Sequence, residues 1–299
     1  MTSLGATFSH RQAEWLGLHP DETFLEFLQL PLEYVRLGSY WSELEPESGK
    51  YVFEPLLKQL RACQKAKKKV VLTVGVKAPR WPEFYFPVWM KPEFTAENNK
   101  ALLRFIEKLI QKVRPFECIT HWQIENEPLD LSGPQNQTIP LELLLKECKL
   151  VRSLDSRPLI VSFWGNEFVS RMNWTMIEGA TDVLGLDIYY RQFAGSLLGL
   201  NIYRGPELRD KELAHELHKI DKPLWLAELQ AEPWEKDEKA FRATNPESMS
   251  PEILRENFKR ASALPVEMIL FWGVEYWFWK AQEGDRSYLE ILAGSQSLF

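Results

Sequence analysis

A few residues stand out by type and spacing as capable of chemistry. His121-Trp122-Gln123-Ile124-Glu125-Asn126-Glu127-Pro128 begins as an aromatic and aliphatic strand and stops at Pro128. That sets an amide, Asn126, beside a carboxylate, Glu127, where strand gives way to loop. A second strand-like run, Pro223 to Glu228, ends on another carboxylate. Charged groups are costly to bury and are seldom placed at the inner end of a strand without a use. Two carboxylates converging from separate strand ends are what acid/base and nucleophilic chemistry on a glycosidic bond requires.

The elements that must position these residues alternate regularly. Strand-like runs fall at Leu4–Phe8, Tyr34–Gly38, Val70–Gly75, Ile119–Glu125, Leu159–Phe163, Val183–Ile188, Leu224–Glu228 and Met268–Trp272. Between them lie helix-period segments, of which Asn99–Val113 is the clearest: Leu102, Leu103, Phe105, Ile106, Leu109, Ile110 and Val113 recur at the spacing of a core-facing stripe. Leu56–Ala66, Leu141–Arg152, Glu207–Ile220 and Pro251–Ala261 behave alike, the last with Ser250 as N-cap and proline in the first helical position. Eight β-then-α units predict an α/β chain folded as a single (β/α)8 TIM barrel, one domain over residues 1–299. A doubly wound open sheet would carry a Gly-rich phosphate turn, and neither GxGxxG nor GxxxxGK[ST] occurs.

The longer connections, 76–97, 128–140, 191–206 and 231–250, all follow strands, so the functional face is expected at the C-terminal ends of the strands. In a barrel the ends of the fourth and seventh strands lie across the mouth from one another, which would set Glu127 facing Glu228. A separation of ~5–5.5 Å would make one carboxylate a nucleophile and give retention, whereas ~6.5–9.5 Å would leave room for water and give inversion. The spacing along the chain leaves both open.

Composition narrows the function further. An apolar fraction of 45% is that of an ordinary globular protein. The net charge of −6, with no basic stripe interleaved with aromatics, argues against nucleic acid as a partner. The cluster from Lys65 to Lys69 fits a solvated helix end. No apolar run approaches the ~20 residues that span a bilayer, so no membrane partner is expected. The N-terminal residues lack the pattern of a secretory signal, and Cys63, Cys118 and Cys148 fit buried free thiols, so a cytoplasmic location is expected. His215-Glu216-Leu217-His218 falls short of HExxH, because its histidines stand at i and i+3; no metal site and no cofactor are expected.

On the Asn126-Glu127-Pro128 and Glu228 pair, the chain resembles the glycoside hydrolases of clan A along essentially its whole length. Those proteins carry an Asn-Glu-Pro acid/base after strand four and a Glu nucleophile ending strand seven. The segments Tyr40-Trp41-Ser42-Glu43-Leu44-Glu45-Pro46 and Ala78-Pro79-Arg80-Trp81-Pro82-Glu83 are similar to members related to families 42, 5 and 39. The histidine that many family 5 members carry near the third strand's end has no counterpart, since Gly75-Val76-Lys77-Ala78 occupies that stretch. The resemblance implies a retaining β-glycosidase acting on a small oligosaccharide or glycoside of galactose, glucose or mannose. It implies Glu127 as acid/base, Glu228 as nucleophile, Arg36 and Tyr189 as groups holding Glu228, Asn126 as the donor to the sugar 2-hydroxyl, and Trp272 as the floor of the sugar subsite.

Other residues are candidates from placement alone. Trp41, Trp81, Trp89, Trp164, Trp234, Trp272, Trp277 and Trp279 lie at or just beyond strand ends, where flat aromatic faces suit sugar rings; the alternative is that they fill the top of a barrel. Trp41, Trp81, Gln230, Trp234 and Glu275 are candidate sugar contacts, with Glu83 and His10 behind them. Arg36 could instead pair with Glu43 or Glu45, Tyr190 competes with Tyr189 for the inward position, and Glu125 reads as a buried structural partner. An inactive carbohydrate-binding barrel and a transglycosylase using the same carboxylates are the rival functions. Sugar identity, exo or endo action and oligomeric state are not encoded in any motif.

Overall fold

A computed structural model describes residues 2–166 and 175–294. Its main sheet is a closed, all-parallel barrel of eight strands: β1 (Ser3–Phe8), β2 (Tyr34–Gly38), β3 (Lys69–Val74), β4 (Ile119–Ile124), β5 (Leu159–Trp164), β6 (Val183–Ile188), β9 (Leu224–Gln230) and β10 (Met268–Trp272), in the order β1-β10-β9-β6-β5-β4-β3-β2. Each of the eight expected runs is a barrel strand, with ends within two residues of those expected. Their burial explains why they lack the alternation of a half-exposed sheet: five of the six residues of β3 and all of those in β9 and β10 are buried, as in parallel sheets covered on both faces.

The helices follow from caps and stripes. The longest, Ala96–Val113, starts where the Thr95 hydroxyl accepts the Asn98 N–H, and it buries the apolar stripe from Leu102 to Val113. Pro251–Ser262 begins with Ser250 accepting the Ile253 N–H and Pro251 in the first turn, where its missing donor costs nothing. Leu141–Leu154 and Glu54–Lys65 match the expected segments closely, while the helix expected over Glu207–Ile220 is shorter, Asp210–Leu217.

Contacts along the chain gather into two compact units. One comprises the described parts of 2–32, 164–166 and 186–294; the other comprises 33–163 and 175–185. In the first, β1 pairs with β10 and β10 with β9, and Phe8, Phe24 and Phe27 pack together. In the second, β2, β3, β4 and β5 run side by side, with Gln123 of β4 level with Thr73 of β3 and Ile160 of β5.

An antiparallel hairpin, β7 (Gln192–Leu197) and β8 (Leu200–Arg204), lies where only a loop was expected. Its two-residue turn, Leu198-Gly199, has positive φ at both positions, 52° and 81°, as a primed hairpin turn requires. Leucine is a poor residue for that conformation, and no Asn-Gly or Asp-Gly signal marks the turn. The three cysteines are free and buried; burial raises the Cys63 thiol and pushes Cys148 up to about 12. No helix among the described residues is long and apolar enough to cross a membrane.

Candidate active site

The carboxylate at the end of β4 is set by an unusual backbone. After Ile124 the ladder to β3 continues for one bond, Glu125 N–H to the Val74 carbonyl at 2.9 Å. The chain then turns through Glu125 at φ 57° and Glu127 at φ 42°. Two non-glycine residues in the left-handed region cost on the order of 1–3 kcal/mol each, so neighbouring contacts must impose the turn. Several do. Asn126 N–H donates to the Lys77 carbonyl at 2.7 Å, and Glu127 N–H donates to the Ser162 hydroxyl at 3.1 Å. The Glu127 carbonyl accepts from the Lys77 ammonium at 2.6 Å and from Asp130 N–H at 3.1 Å.

Asn126 is oriented with equal care. Its side-chain oxygen accepts from Gln123 Nε2 at 3.1 Å, from Arg36 Nη2 at 3.4 Å and from the Ser162 hydroxyl at 3.5 Å. With three donors around the oxygen, the amide NH2 is left to donate elsewhere. Arg36 is fully buried on β2 and donates to Asn126, while Glu45 is engaged by Trp41 Nε1, Gly49 N–H and Arg104.

Glu125 is a different kind of acid. It is fully buried and accepts N–H bonds from Val76, at 2.9 Å, and from Lys77. Its carboxyl lies against the bare Cα of Gly75: a Cβ there would come within 2.2 Å of it, at a φ of 130° that L side chains avoid. Burial pushes Glu125 up to about 8, and burial together with the neighbouring Glu125 raises Glu147, on the helix Leu141–Leu154, well above its ordinary value. Glu125 is thus a buried structural partner, as its sequence position suggested.

The second carboxylate, Glu228, lies within β9 and is almost fully buried. Leu226 is level with Ile269 of β10 but Leu229 with Phe271, so β9 carries one extra residue across Ala227 and Glu228. Such a bulge re-aims a side chain without ending the strand. The Tyr189 hydroxyl, just past β6, donates to Glu228 Oε2. Tyr189 is itself fixed: its ring stacks on Trp164 at 5.2 Å between centroids and meets Trp234 edge-on at 5.0 Å. Asn166 holds its main chain from both sides, accepting from Tyr189 N–H at 2.9 Å and donating to its carbonyl at 2.6 Å. Tyr190 points elsewhere, beneath the Arg260 guanidinium at 3.8 Å, with burial raising its hydroxyl.

The remaining candidates divide. Trp81 is 68% exposed and Trp234 42%, so both can present an aromatic face. Trp272 ends β10 with little exposed surface. Three of the expected sugar contacts are engaged inside the protein. Trp41 is fully buried, stacked on Phe105 at 5.6 Å with its indole N–H bonded to Glu45, so it is core. Gln230 is buried with its amide closed on the Arg191 main chain at 2.9 and 2.8 Å. Glu275 is buried and accepts the Ser9 N–H at 2.5 Å. Residues that sequence reading passed over include Gln123, Ser162, Asn166 and Lys77; Asn166 and Lys77 lie just beyond strand ends, the one signal that could have flagged them, whereas Gln123 and Ser162 lie within β4 and β5.

No protein-family model matches the chain. Among solved structures, it is similar to GH5_18 from Bifidobacterium longum subsp. longum in complex with Manβ1-4GlcNAc, with a TM-score of 0.65 and 14% identity over 99% of this chain and 79% of that one. It is similar to xylanase 10B from Thermotoga petrophila in complex with xylobiose, with a TM-score of 0.61 and 17% identity over 91% of this chain and 82% of that one. A β-galactosidase from Rahnella sp. R3 matches with a TM-score of 0.62 and 15% identity over 91% of this chain. The chain spans about half (50%) of the length of that β-galactosidase. The barrel expected from the resemblance to clan A glycoside hydrolases is the fold the chain shares with these proteins.

Proposed function

We propose that the chain is a retaining β-glycoside hydrolase acting on β-linked neutral sugars by double displacement. The observation that carries this reading is the Tyr189 hydroxyl donating to Glu228 Oε2, which fixes the orientation of a buried carboxylate suited to attack on an anomeric carbon. Glu127 protonates the departing glycosidic oxygen while Glu228 forms the covalent glycosyl ester. Glu127 then removes a proton from the incoming water, and the ester is hydrolysed. Asn126, its oxygen held by three donors, offers its NH2 to the sugar 2-hydroxyl, a contact that tightens as positive charge grows on the ring.

In this reading the exposed faces of Trp81 and Trp234 suit sugar rings, and Trp272 serves as the floor of a sugar subsite. The two similar structures with bound ligands hold disaccharides, Manβ1-4GlcNAc and xylobiose. They favour short β-linked oligosaccharides or simple glycosides as the substrate class. A panel of p-nitrophenyl β-glycosides tests the reading directly. Release of nitrophenol from a β-galactoside, β-glucoside or β-mannoside is expected, with a 2-fluoro glycoside labelling Glu228. A label on any other residue, or no turnover across the panel, overturns it.

A further inference from the structure

We propose that Lys77 is a positioning residue for Glu127: its ammonium, just beyond β3, clamps the Glu127 peptide and thereby sets the direction of the carboxyl group. The inference rests on the acid/base role proposed for Glu127. Every polar group of Lys77 grips the turn. Its N–H donates to Glu125, its carbonyl accepts Asn126 N–H at 2.7 Å, and its ammonium donates to the carbonyls of Glu127 at 2.6 Å and Asp130 at 3.1 Å. The side chain is fully buried, lies 5.7 Å from the Phe84 ring centre and has Glu83 at 3.6 Å as its counter-charge. Glu83 is tethered in turn by the Ser132 hydroxyl.

The geometry makes this grip specific to Glu127. Ser162 takes its N–H, and Lys77 with Asp130 takes its carbonyl, so both dihedrals of a residue at φ 42° are fixed from outside. The Cβ direction follows from those dihedrals, and the carboxyl group follows the Cβ. Burying an ammonium among carbonyls is an expensive way to fill space. A lysine supplies three donors on a long stem and no acceptor, which is what two neighbouring carbonyls and a carboxylate need.

Lys77→Met keeps the stem and removes the donors. In the intact chain, kcat on an unactivated β-glycoside is expected to fall ~30-fold, the scale of a misplaced catalytic group. On a dinitrophenyl β-glycoside with azide, where Glu127 is dispensable in both steps, the loss should stay under about 3-fold. Hydrogen exchange reads the same clamp without turnover. The Glu127 and Asp130 amides should exchange ~10-fold faster while those of Val71 and Leu72 are unchanged. Glu83→Gln, which loosens the ammonium from its exposed side, should accelerate the same two amides about 3-fold and serves if the methionine variant does not fold. Equal losses on both substrates, or unchanged exchange at Glu127 and Asp130, overturn the proposal. Faster exchange in a chain that hydrolyses no glycoside would sustain the clamp and sink the glycosidase reading instead.

Discussion

At the end of β4, Glu127 is held through its main chain; within β9, Glu228 is held through its side chain. The first lies in a turn with two left-handed residues, and its neighbours Ser162, Lys77 and Asp130 all bond to its peptide groups. The second keeps the strand, shifts by one bulged residue, and takes its orientation from a phenol that is wedged between two tryptophans. The contrast fits the two roles proposed. A proton carrier must reach a leaving group and later a water, and here its anchor lies in the backbone. A nucleophile needs one trajectory, which a hydrogen bond to the carboxylate itself supplies.

Substitutions can break this contrast in order of size. Glu228→Gln should lower turnover by at least about 10³-fold with no change in melting temperature beyond a few degrees, because the isosteric amide keeps the strand and leaves no nucleophile. Near-normal turnover in that variant would remove the basis of the comparison. Glu127→Ala should lose ~10²–10⁴-fold on unactivated glycosides and recover with azide on an activated one, giving a β-glycosyl azide. Recovery with an α-linked product would reverse the assigned stereochemistry. Tyr189→Phe removes a hydrogen bond to a charged group, worth ~1.5–3 kcal/mol, so kcat should fall about 10- to 150-fold while the ring stack keeps stability intact. Ser162→Ala, which takes away one of several grips on the Glu127 peptide, should cost only about 3- to 10-fold. A larger effect for Ser162→Ala than for Tyr189→Phe would contradict the idea that side-chain and main-chain anchoring differ in redundancy.

The smallest effect on activity and the clearest on pH belongs to the buried acids. Burial holds Glu125 protonated up to about 8 and raises Glu147 as well, whereas the unfolded chain releases these protons near 4.5. Between those values the folded state binds more protons than the unfolded one. The pair's contribution is therefore complete below about 4.5 and declines as pH rises through about 8. Glu147→Gln should flatten the fall in melting temperature between pH 5 and 8 and leave kcat within about 2-fold; an unchanged slope would show that the pair is not the titrating element.

The barrel was legible because its strands are mostly buried runs set off by helical stripes, a pattern that local chemistry imposes. Glu127, Asn126 and Glu228 stand out as candidates for a related reason: polar groups at the ends of such runs are conspicuous. What escaped depended on contacts between distant segments. Trp41 resembles an exposed platform along the chain, and only the packing of Phe105 and the Glu45 acceptor shows it to be core. Gln230 and Glu275 look like free polar groups, yet Arg191 and Ser9 main-chain atoms consume them. The hairpin β7–β8 went unseen because its turn sets leucine where glycine or asparagine is the usual mark. Between Tyr189 and Tyr190 the pleat allows one inward phenol but does not choose it; the Asn166 grip and the Trp164 stack do.

Gly75 has a bearing on how this scaffold could be redesigned. A library that randomises the rim from Gly75 to Trp81 would return glycine alone at its first position, because any side chain there comes within 2.2 Å of the Glu125 carboxyl and must adopt a φ of 130°. At Trp81, which is largely exposed, diversity would be tolerated. On the proposed function, specificity would be retuned from the outer part of that loop inward, with the glycine as the fixed point at which exploration stops.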